Sequence, residues 1–203
     1  MLYLFLKAFG NVILKLFFKV NIYNNIEIPK HGPLIIAINH KSPMDPPLIG
    51  TVFPRVVHFF AAEELFSIPI VGWVIKKLGV IPVNRRQKDF RSLKRAIELL
   101  REGEIVAIFP QGGIPPYDSK ERYKIKPGVA YLALKAKAPI LCVCISGTEF
   151  IIPRGSMFFK KLFTRINVEY RAIIYPEGDM GVEDILEKVK KEIFACENTY
   201  SGR

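Results

Sequence analysis

The chain has few of the features that mark a membrane-spanning, disulfide-rich or metal-binding protein. Charged residues interrupt its apolar runs well before the ~20 consecutive apolar residues that a transmembrane helix requires, so no span is expected. Its three cysteines, Cys142, Cys144 and Cys196, are odd in number and lack paired spacing, which fits a reducing compartment. Cys142 and Cys144 alternate on a predicted strand, and this spacing favours core packing over metal binding.

Acidic residues are scarce relative to basic ones. The 203 residues include 30 Lys plus Arg against 19 Asp plus Glu, which gives a net charge of +11. Such a charge favours anionic partners: phosphate head groups, acidic carrier proteins, the cytoplasmic leaflet of a membrane, or nucleic acid. Charge alone does not choose among them. The length and the 50% hydrophobic content suffice for one domain with a full core.

The first 20 residues are almost wholly apolar apart from four polar side chains spaced four residues apart. On a helix this spacing forms one narrow polar stripe. We therefore predict that residues 1–20 form an amphipathic helix lying in a membrane interface, with its lysines at lipid phosphates. A helix packed against the domain is the alternative, and residues 21–203 are expected to form a single α/β domain. The stripe consists of Lys7, Asn11, Lys15 and Lys19, and the side chains expected to insert are Leu2, Phe5, Phe9, Ile13, Leu16 and Phe17.

A histidine and a carboxylate follow the first strongly apolar segment. Residues 33–38 predict a buried strand, which places His40 at its carboxyl end, where open α/β sheets bind ligands. Asp45 lies five residues later, about 140° away on a helix, so the two side chains meet only if the chain turns, as the nearby prolines indicate. Asp45 would then hold one ring nitrogen of His40 and leave the other to accept a substrate proton. Taken alone, the pair also fits a purely structural turn.

Strands predicted at residues 33–38, 105–109, 140–145 and 166–175 alternate with predicted helices. This order indicates an α/β sandwich with a central mixed, largely parallel sheet flanked by helices.

Four segments, in order along the chain, carry a resemblance to a known family. The first runs from Asn39-His40 to Asp45, and the others are residues 79–85, residues 109–113, and Lys126-Pro127-Gly128 with the strand at 138–143. In the same order, they resemble four motifs of the glycerolipid acyltransferases: the N-H-x4-D motif, the second motif, which ends in an arginine, the F-P-E-G-T/G motif and the K-P-G motif. The best-known members of that family are the lysophosphatidate acyltransferases.

The resemblance implies a role for each matching residue. His40 would be the general base and Asp45 its orienting carboxylate. Arg85, at the end of the second motif, would grip phosphate through paired hydrogen bonds. Gln111, Gly112 and Gly113 would hold the head group, and glycines at a strand end let backbone N–H groups approach an anion.

The sequence departs from the family in the third motif. Gln111 stands where glutamate is expected and Ile114 where arginine often follows. Glutamine still forms hydrogen bonds but carries no charge, so the departure bears on the identity of the acceptor. Lys126 is among the cations of the next loop that would compensate, together with Lys120, Arg122 and Lys124.

The resemblance implies an O-acyltransferase of phospholipid biosynthesis. It would move a fatty acyl group from acyl-CoA or acyl-carrier protein to the sn-2 hydroxyl of 1-acyl-glycerol-3-phosphate, giving phosphatidate, at the cytoplasmic face of the cell membrane. No cofactor or metal is expected, because His40 and Asp45 are too few ligands for a closed metal site.

Two alternatives remain at this point. Acylation of another lysolipid gains support from Gln111. A non-catalytic protein that binds anionic lipid or nucleic acid would also use the positive charge. Nucleic acid is not an expected partner, because the aromatic residues lie in apolar runs rather than among basic ones.

Overall fold

Strands and helices alternate along the part of the chain that the computed structural model describes, residues 2–24, 26–84, 89–116, 119–156 and 158–196. The strands are β1 (Lys19–Asn24), β2 (Leu34–Ile38), β3 (Val57–Ala62), β4 (Ile81–Val83), β5 (Ile105–Ile108), β6 (Ile140–Ser146) and β7 (Arg165–Ile174). The α-helices are α1 (Leu2–Phe17), α2 (Asp45–Val52), α3 (Pro69–Lys77), α4 (Phe90–Arg101), α5 (Gly128–Ala136) and α6 (Val182–Ile193).

The strands form one sheet in the order β1-β7-β6-β2-β5-β3-β4. All neighbours run parallel except β6 and β7, so the predicted mixed, largely parallel sheet is confirmed. β2 lies at the centre, between β6 and β5, and all five of its residues are buried. Its uninterrupted apolar sequence suits this position, because a parallel strand covered on both faces has no polar side.

The core has two layers, one on each face of the sheet. On β2, Leu34, Ile36 and Ile38 pack into the layer that also contains residues of α1 and α2. Ile35 and Ala37 face the opposite layer, with residues of α4, α5 and α6. Successive side chains of a strand point to opposite faces, so one short strand joins both layers and is held from both sides. The predicted sandwich is confirmed.

The N-terminal helix ends earlier than predicted. Lys19 and Val20 belong to β1, where they pair with Arg165 and Ile166 of β7. The prediction of a helix over residues 1–20 is wrong at this end, because pairing with β7 satisfies the backbone groups that a longer helix would otherwise use. Within the described ranges, no helix is both long and apolar enough to cross a membrane.

Part of the polar stripe of α1 is turned toward the domain. Nζ of Lys7 donates to the carbonyl oxygen of Phe53, and burial lowers the pKa of this amine. The prediction that Lys7 meets lipid phosphates is therefore wrong, and Leu2, Ile13 and Phe17, expected to insert, are half-buried. Phe5, Phe9 and Leu16 are exposed as predicted, and with Leu4 and Val12 they form an apolar face turned to solvent. Lys15 of the polar stripe is exposed as well.

The prolines after His40 begin a helix. α2 starts at Asp45, with Pro46 and Pro47 in its first turn, where the missing N–H groups cost no helical hydrogen bond. The predicted turn is therefore confined to the residues before Asp45.

Two of the cysteines form a disulfide, so the expectation of unpaired cysteines in a reducing compartment is wrong for this pair. Cys144 on β6 is joined to Cys196 just beyond α6, across a sequence separation of 52 residues, whereas Cys142 is free and buried. The cysteine spacing gave no hint of this pair, because only the packing of α6 against β6 brings the two residues together.

Candidate active site

His40 and Asp45 meet directly at the carboxyl end of β2. Nδ1 of His40 lies 2.8 Å from Oδ2 of Asp45, and the carboxylate is completely buried. The chain turns between the two residues, as the sequence predicts. Since Nδ1 is engaged with the carboxylate, Nε2 is the ring nitrogen left for a ligand in the cleft that His40 lines.

Asp45 is held by more than its histidine. Its Oδ2 also accepts from the backbone N–H groups of Lys41, at 2.7 Å, and Ser42, at 2.9 Å. Its Oδ1 accepts from the hydroxyl of Thr148, at 2.6 Å. Every donor is fixed by backbone or by a buried side chain, so this carboxylate is compensated for its burial and presented to His40 in one orientation.

The imidazole ring is also fixed by packing. It stacks on Phe109, with ring centroids 4.0 Å apart and an angle of 24° between the planes. Before it in the chain, the side-chain amide of Asn39 bonds both the N–H and the carbonyl of Ile145, at 2.7 and 2.9 Å. Asn39 thus continues the β2–β6 ladder beyond the end of β2, and this anchors the residue that precedes the base.

Gln111 supports the backbone around the histidine. Its Oε1 accepts from the backbone N–H of His40 at 2.5 Å, and its Nε2 donates to the carbonyl of Arg122 at 2.7 Å. Both ends of the amide are used in this way, so the side chain braces the site. The structure thus gives Gln111 a positioning contact with the base in addition to the substrate contact that the sequence suggested.

Gly112 and Lys126 lie against one another. A Cβ on Gly112 would come within 2.7 Å of Cε and Nζ of Lys126, so the end of the lysine side chain would have to move aside. The φ of +77° at Gly112 is the stronger reason for glycine here. The N–H of Gly112 closes a turn onto Phe109 at 2.9 Å, so it is not directed at a ligand. Gly113 follows on the same loop and is half-buried.

Arg85 lies outside the described residues. β4 ends at Val83, two residues earlier, at the same edge of the sheet as His40, because β4, β3, β5 and β2 all run parallel. The proposed phosphate contact of Arg85 stays a prediction.

A cleft of about 1030 Å³ opens beside His40. Its walls come from the loops after β2, β5 and β6 and from the start of β7. The lining includes Tyr23, His40, Lys41, Gln111, Ile114, Arg122, Gly147, Glu149, Phe150, Arg154, Lys161, Arg165 and Asn167. The cleft is large enough for a lipid substrate, and His40 is the histidine within it.

The remaining free cysteine takes no part in the site. Cys142 is fully buried, and desolvation raises the pKa of its thiol to about 12. Because the thiolate is the nucleophilic form, Cys142 is unsuited to attack an acyl donor.

Sequence reasoning missed three residues that hold the site. Asn39, Ser42 and Thr148 are all buried polar side chains with hydrogen bonds in or next to the turn. The sequence signal for Thr148 was limited to its place just after the strand predicted at residues 140–145, which is β6. The pairing of β6 with β2 was not readable from sequence.

Residues 19–146 match the profile of a family described as Acyltransferase. The chain is 34% identical to the 1-acyl-sn-glycerol-3-phosphate acyltransferase of Bacillus subtilis (strain 168) over 151 residues, covering 74% of this chain and 72% of that protein. It is 32% identical to the enzyme of the same name from Borreliella burgdorferi over 179 residues, covering 86% of this chain and 70% of the relative.

A solved structure shares the fold. The crystal structure of the 1-acyl-sn-glycerophosphate (LPA) acyltransferase PlsC from Thermotoga maritima superposes with a TM-score of 0.79 and 28% sequence identity. The match covers 99% of this chain and 80% of that one, so it includes the N-terminal helix as well as the sheet.

Proposed function

The chain belongs to the acyltransferase family, and from that premise we propose that it moves a fatty acyl group from a thioester to the sn-2 hydroxyl of 1-acyl-glycerol-3-phosphate, forming phosphatidate. The observation that carries the chemistry is the contact of 2.8 Å between His40 and the buried Asp45, at the wall of the cleft. The names of the relatives support the acceptor.

In the first step, Nε2 of His40 takes the proton of the acceptor's 2-hydroxyl while the hydroxyl oxygen attacks the thioester carbonyl carbon. Asp45 keeps the proton on Nδ1 and stabilises the imidazolium that forms. The acceptor supplies the nucleophile, so no acyl-enzyme is required.

In the second step, the tetrahedral intermediate collapses and the carbon–sulfur bond breaks. The departing thiolate receives the proton from Nε2, which restores neutral His40. One ester and one free thiol are formed, and the chain itself is unchanged.

The acceptor's head group is assigned to the β5 side of His40. Lys126 lies over the Gly112 turn after β5, and β4, which Arg85 follows in the sequence, lies farther along the same side of the sheet. Both ends of the Gln111 amide are engaged with backbone groups, which supports a bracing role and weakens the argument from Gln111 for another lysolipid.

We assign membrane association to the outer face of α1. Leu4, Phe5 and Phe9 are 68%, 67% and 57% exposed on adjacent turns of one helix, whereas the helix's own Lys7 is directed inward. A contiguous apolar face of this kind marks an interaction surface. A helix lying flat in the interface, with this face among the acyl chains, gives the protein peripheral access to a lipid acceptor at the cytoplasmic leaflet, where thioester donors are available.

A second apolar segment continues this face. Phe163 donates its N–H to the carbonyl of Phe17 at 2.8 Å, and the two rings lie 6.3 Å apart. Phe158 and Phe163 are highly exposed, and Lys161 between them lines the cleft. The loop therefore connects the proposed membrane face with the entrance to the site.

An acceptor and donor screen with purified protein tests the proposal. The protein is incubated with labelled acyl-CoA or acyl-carrier protein and a series of lysolipids on vesicles, with His40→Ala as the blank. We expect label in phosphatidate, released by a lipase specific for the sn-2 ester.

Preferential labelling of a lysolipid without a terminal phosphate would overturn the acceptor assignment. Transfer by the His40→Ala protein at the normal rate would overturn the chemistry.

A further inference from the structure

The cleft has a strongly cationic end away from the acceptor side. Arg154, Lys161 and Arg165 line it, and all three are exposed. None of the three forms an ion pair with another described residue. Among the described residues that line the cleft, Glu149 is the single carboxylate, and it is engaged with Lys41 at 3.4 Å and with the N–H of Gly147 at 2.8 Å. This end of the cleft therefore has uncompensated positive charge and fits an anion.

The sheet order separates this end from the predicted head-group site. Arg165 begins β7, two strands from β2, which is about 10 Å at the ordinary spacing between strands. Lys126 lies over the Gly112 turn that follows β5, and β5 is on the opposite side of β2 from β6 and β7. His40, at the end of the central strand, stands between the two cationic regions.

Acyl transfer requires the acceptor hydroxyl and the donor thioester to lie together at Nε2 of His40. The acceptor brings a hydroxyl and one phosphate, and the donor brings a thioester. Both proposed donors, acyl-CoA and acyl-carrier protein, carry the acyl group on the sulfur of a phosphopantetheine arm. The other end of that arm is a phosphate, so both donors have this phosphate in common.

We propose that Arg154, Lys161 and Arg165 bind the phosphate of the donor's phosphopantetheine arm, which then lies along the cleft with its thioester at His40. Guanidinium groups match phosphate oxygens through paired hydrogen bonds, and a lysine adds a point charge. The inference rests on the proposed function for the identity of the second substrate. It assigns a separate binding site to each of the two phosphates that the reaction brings together.

The test variant removes two of the three charges, as Arg154→Gln with Arg165→Gln. Its matched control is Lys160→Gln with Arg171→Gln, which removes two exposed cations from the same loop and strand without touching the cleft. We expect the KM for the acyl donor to rise about tenfold or more in the test variant, because hydrogen bonds to charged groups are lost. The KM for lysophosphatidate and vesicle binding should match those of the control.

Direct binding provides a readout that needs no turnover. Calorimetry with CoA, free phosphopantetheine and holo-carrier protein should show weaker binding to the test variant than to the control. Loss of affinity for all three ligands identifies the shared phosphate. A loss confined to CoA would identify its additional phosphates, and a loss confined to holo-carrier would identify its acidic surface; either result overturns a site for the shared arm.

Failure of the inference is distinguishable from failure of the proposed function. If the unchanged protein binds CoA and loses that binding in the test variant but does not acylate lysophosphatidate, the acceptor is wrong and the donor site stands. A rise in the KM for lysophosphatidate alone, reduced vesicle binding, or no difference from the control would each overturn the donor site.

Discussion

The turn around Asp45 and the outer face of α1 depart from the usual pattern of burial in opposite directions. At the turn, a carboxylate and the polar side chains of Asn39, Ser42 and Thr148 are buried. On α1, large apolar side chains face outward while a lysine is directed inward. Burial of unpaired polar groups and exposure of a large apolar patch both cost free energy, so each departure indicates a requirement other than folding.

The two regions differ in where their side chains find partners that offset the unfavourable free energy. Each polar group of the turn has partners within the protein: Asp45 accepts from four donors, the Asn39 amide bonds the backbone of Ile145, and the Ser42 hydroxyl donates to the carbonyl of Ile152. The apolar face of α1 has no such internal partner among the described residues and needs an external surface. We therefore expect changes at the turn to affect catalysis and changes on α1 to affect membrane binding, each without the other.

The largest effect is expected at Asp45. Asp45→Asn keeps the shape of the side chain but removes the charge that holds the His40 tautomer and stabilises the imidazolium. We expect kcat to fall about 10³- to 10⁴-fold, by analogy with the orienting carboxylate of a catalytic triad. Steady-state kinetics on vesicles measures this, with thermal unfolding to establish that the variant is folded. Loss of vesicle binding by this folded variant would contradict the expectation that changes at the turn leave membrane binding unaffected.

The second effect concerns α1. Phe5→Glu with Phe9→Glu replaces two exposed aromatic side chains by carboxylates, and we expect the vesicle partition coefficient to fall at least about 100-fold, from the burial free energy of two phenylalanines. Sedimentation with anionic vesicles measures it. Transfer to a water-dispersed, short-chain lysolipid should be unchanged.

Phe90→Glu is the matched control. Phe90 is an aromatic residue of α4, 69% exposed, on the opposite side of the sheet from α1. Equal loss of partition in this variant would show that any exposed aromatic residue serves, and the assignment to α1 would be wrong.

A smaller effect is expected at Thr148. Thr148→Val keeps the volume but removes the hydroxyl that donates to Oδ1 of Asp45 at 2.6 Å. We expect about a tenfold loss in kcat, because one hydrogen bond to a buried charge is lost. Thr148→Ser should restore most of the rate, and equal rates for the valine and serine variants would show that this hydroxyl does not position Asp45.

The smallest effect is expected at Gln111. In Gln111→Glu the side chain still accepts from the N–H of His40, but it no longer donates to the carbonyl of Arg122. We expect kcat to fall about threefold to tenfold, with the KM for the acceptor unchanged. A change in the KM for the acceptor alone would show that Gln111 contacts the acceptor's head group rather than positioning His40.

Local sequence patterns predicted much of the fold. The run 33–38 predicted the central strand, and the runs 140–145 and 166–175 predicted β6 and β7 to within one residue at each end. Local signals also set the start of α4 at Phe90, because the Asp89 side chain caps the helix by accepting from the N–H groups of Arg91 and Ser92. These features depend on neighbours within a few residues.

The parts that were not predicted depend on contacts between distant segments. Thr148 reaches Asp45 across 103 residues, and Gln111 reaches His40 across 71. The placement of Lys7 was predicted wrongly, because an amphipathic pattern gives the position of a polar stripe but not which part of it the domain covers. The pairing of Cys144 with Cys196 likewise required the packing of α6.

The role of His40 is tested by measuring acyl transfer and vesicle binding side by side for His40→Ala and the unchanged protein. We expect transfer from a thioester to lysophosphatidate to fall to the uncatalysed rate in the variant, while the partition coefficient on anionic vesicles stays the same. Transfer that continues at a comparable rate without the imidazole of His40 would contradict that role.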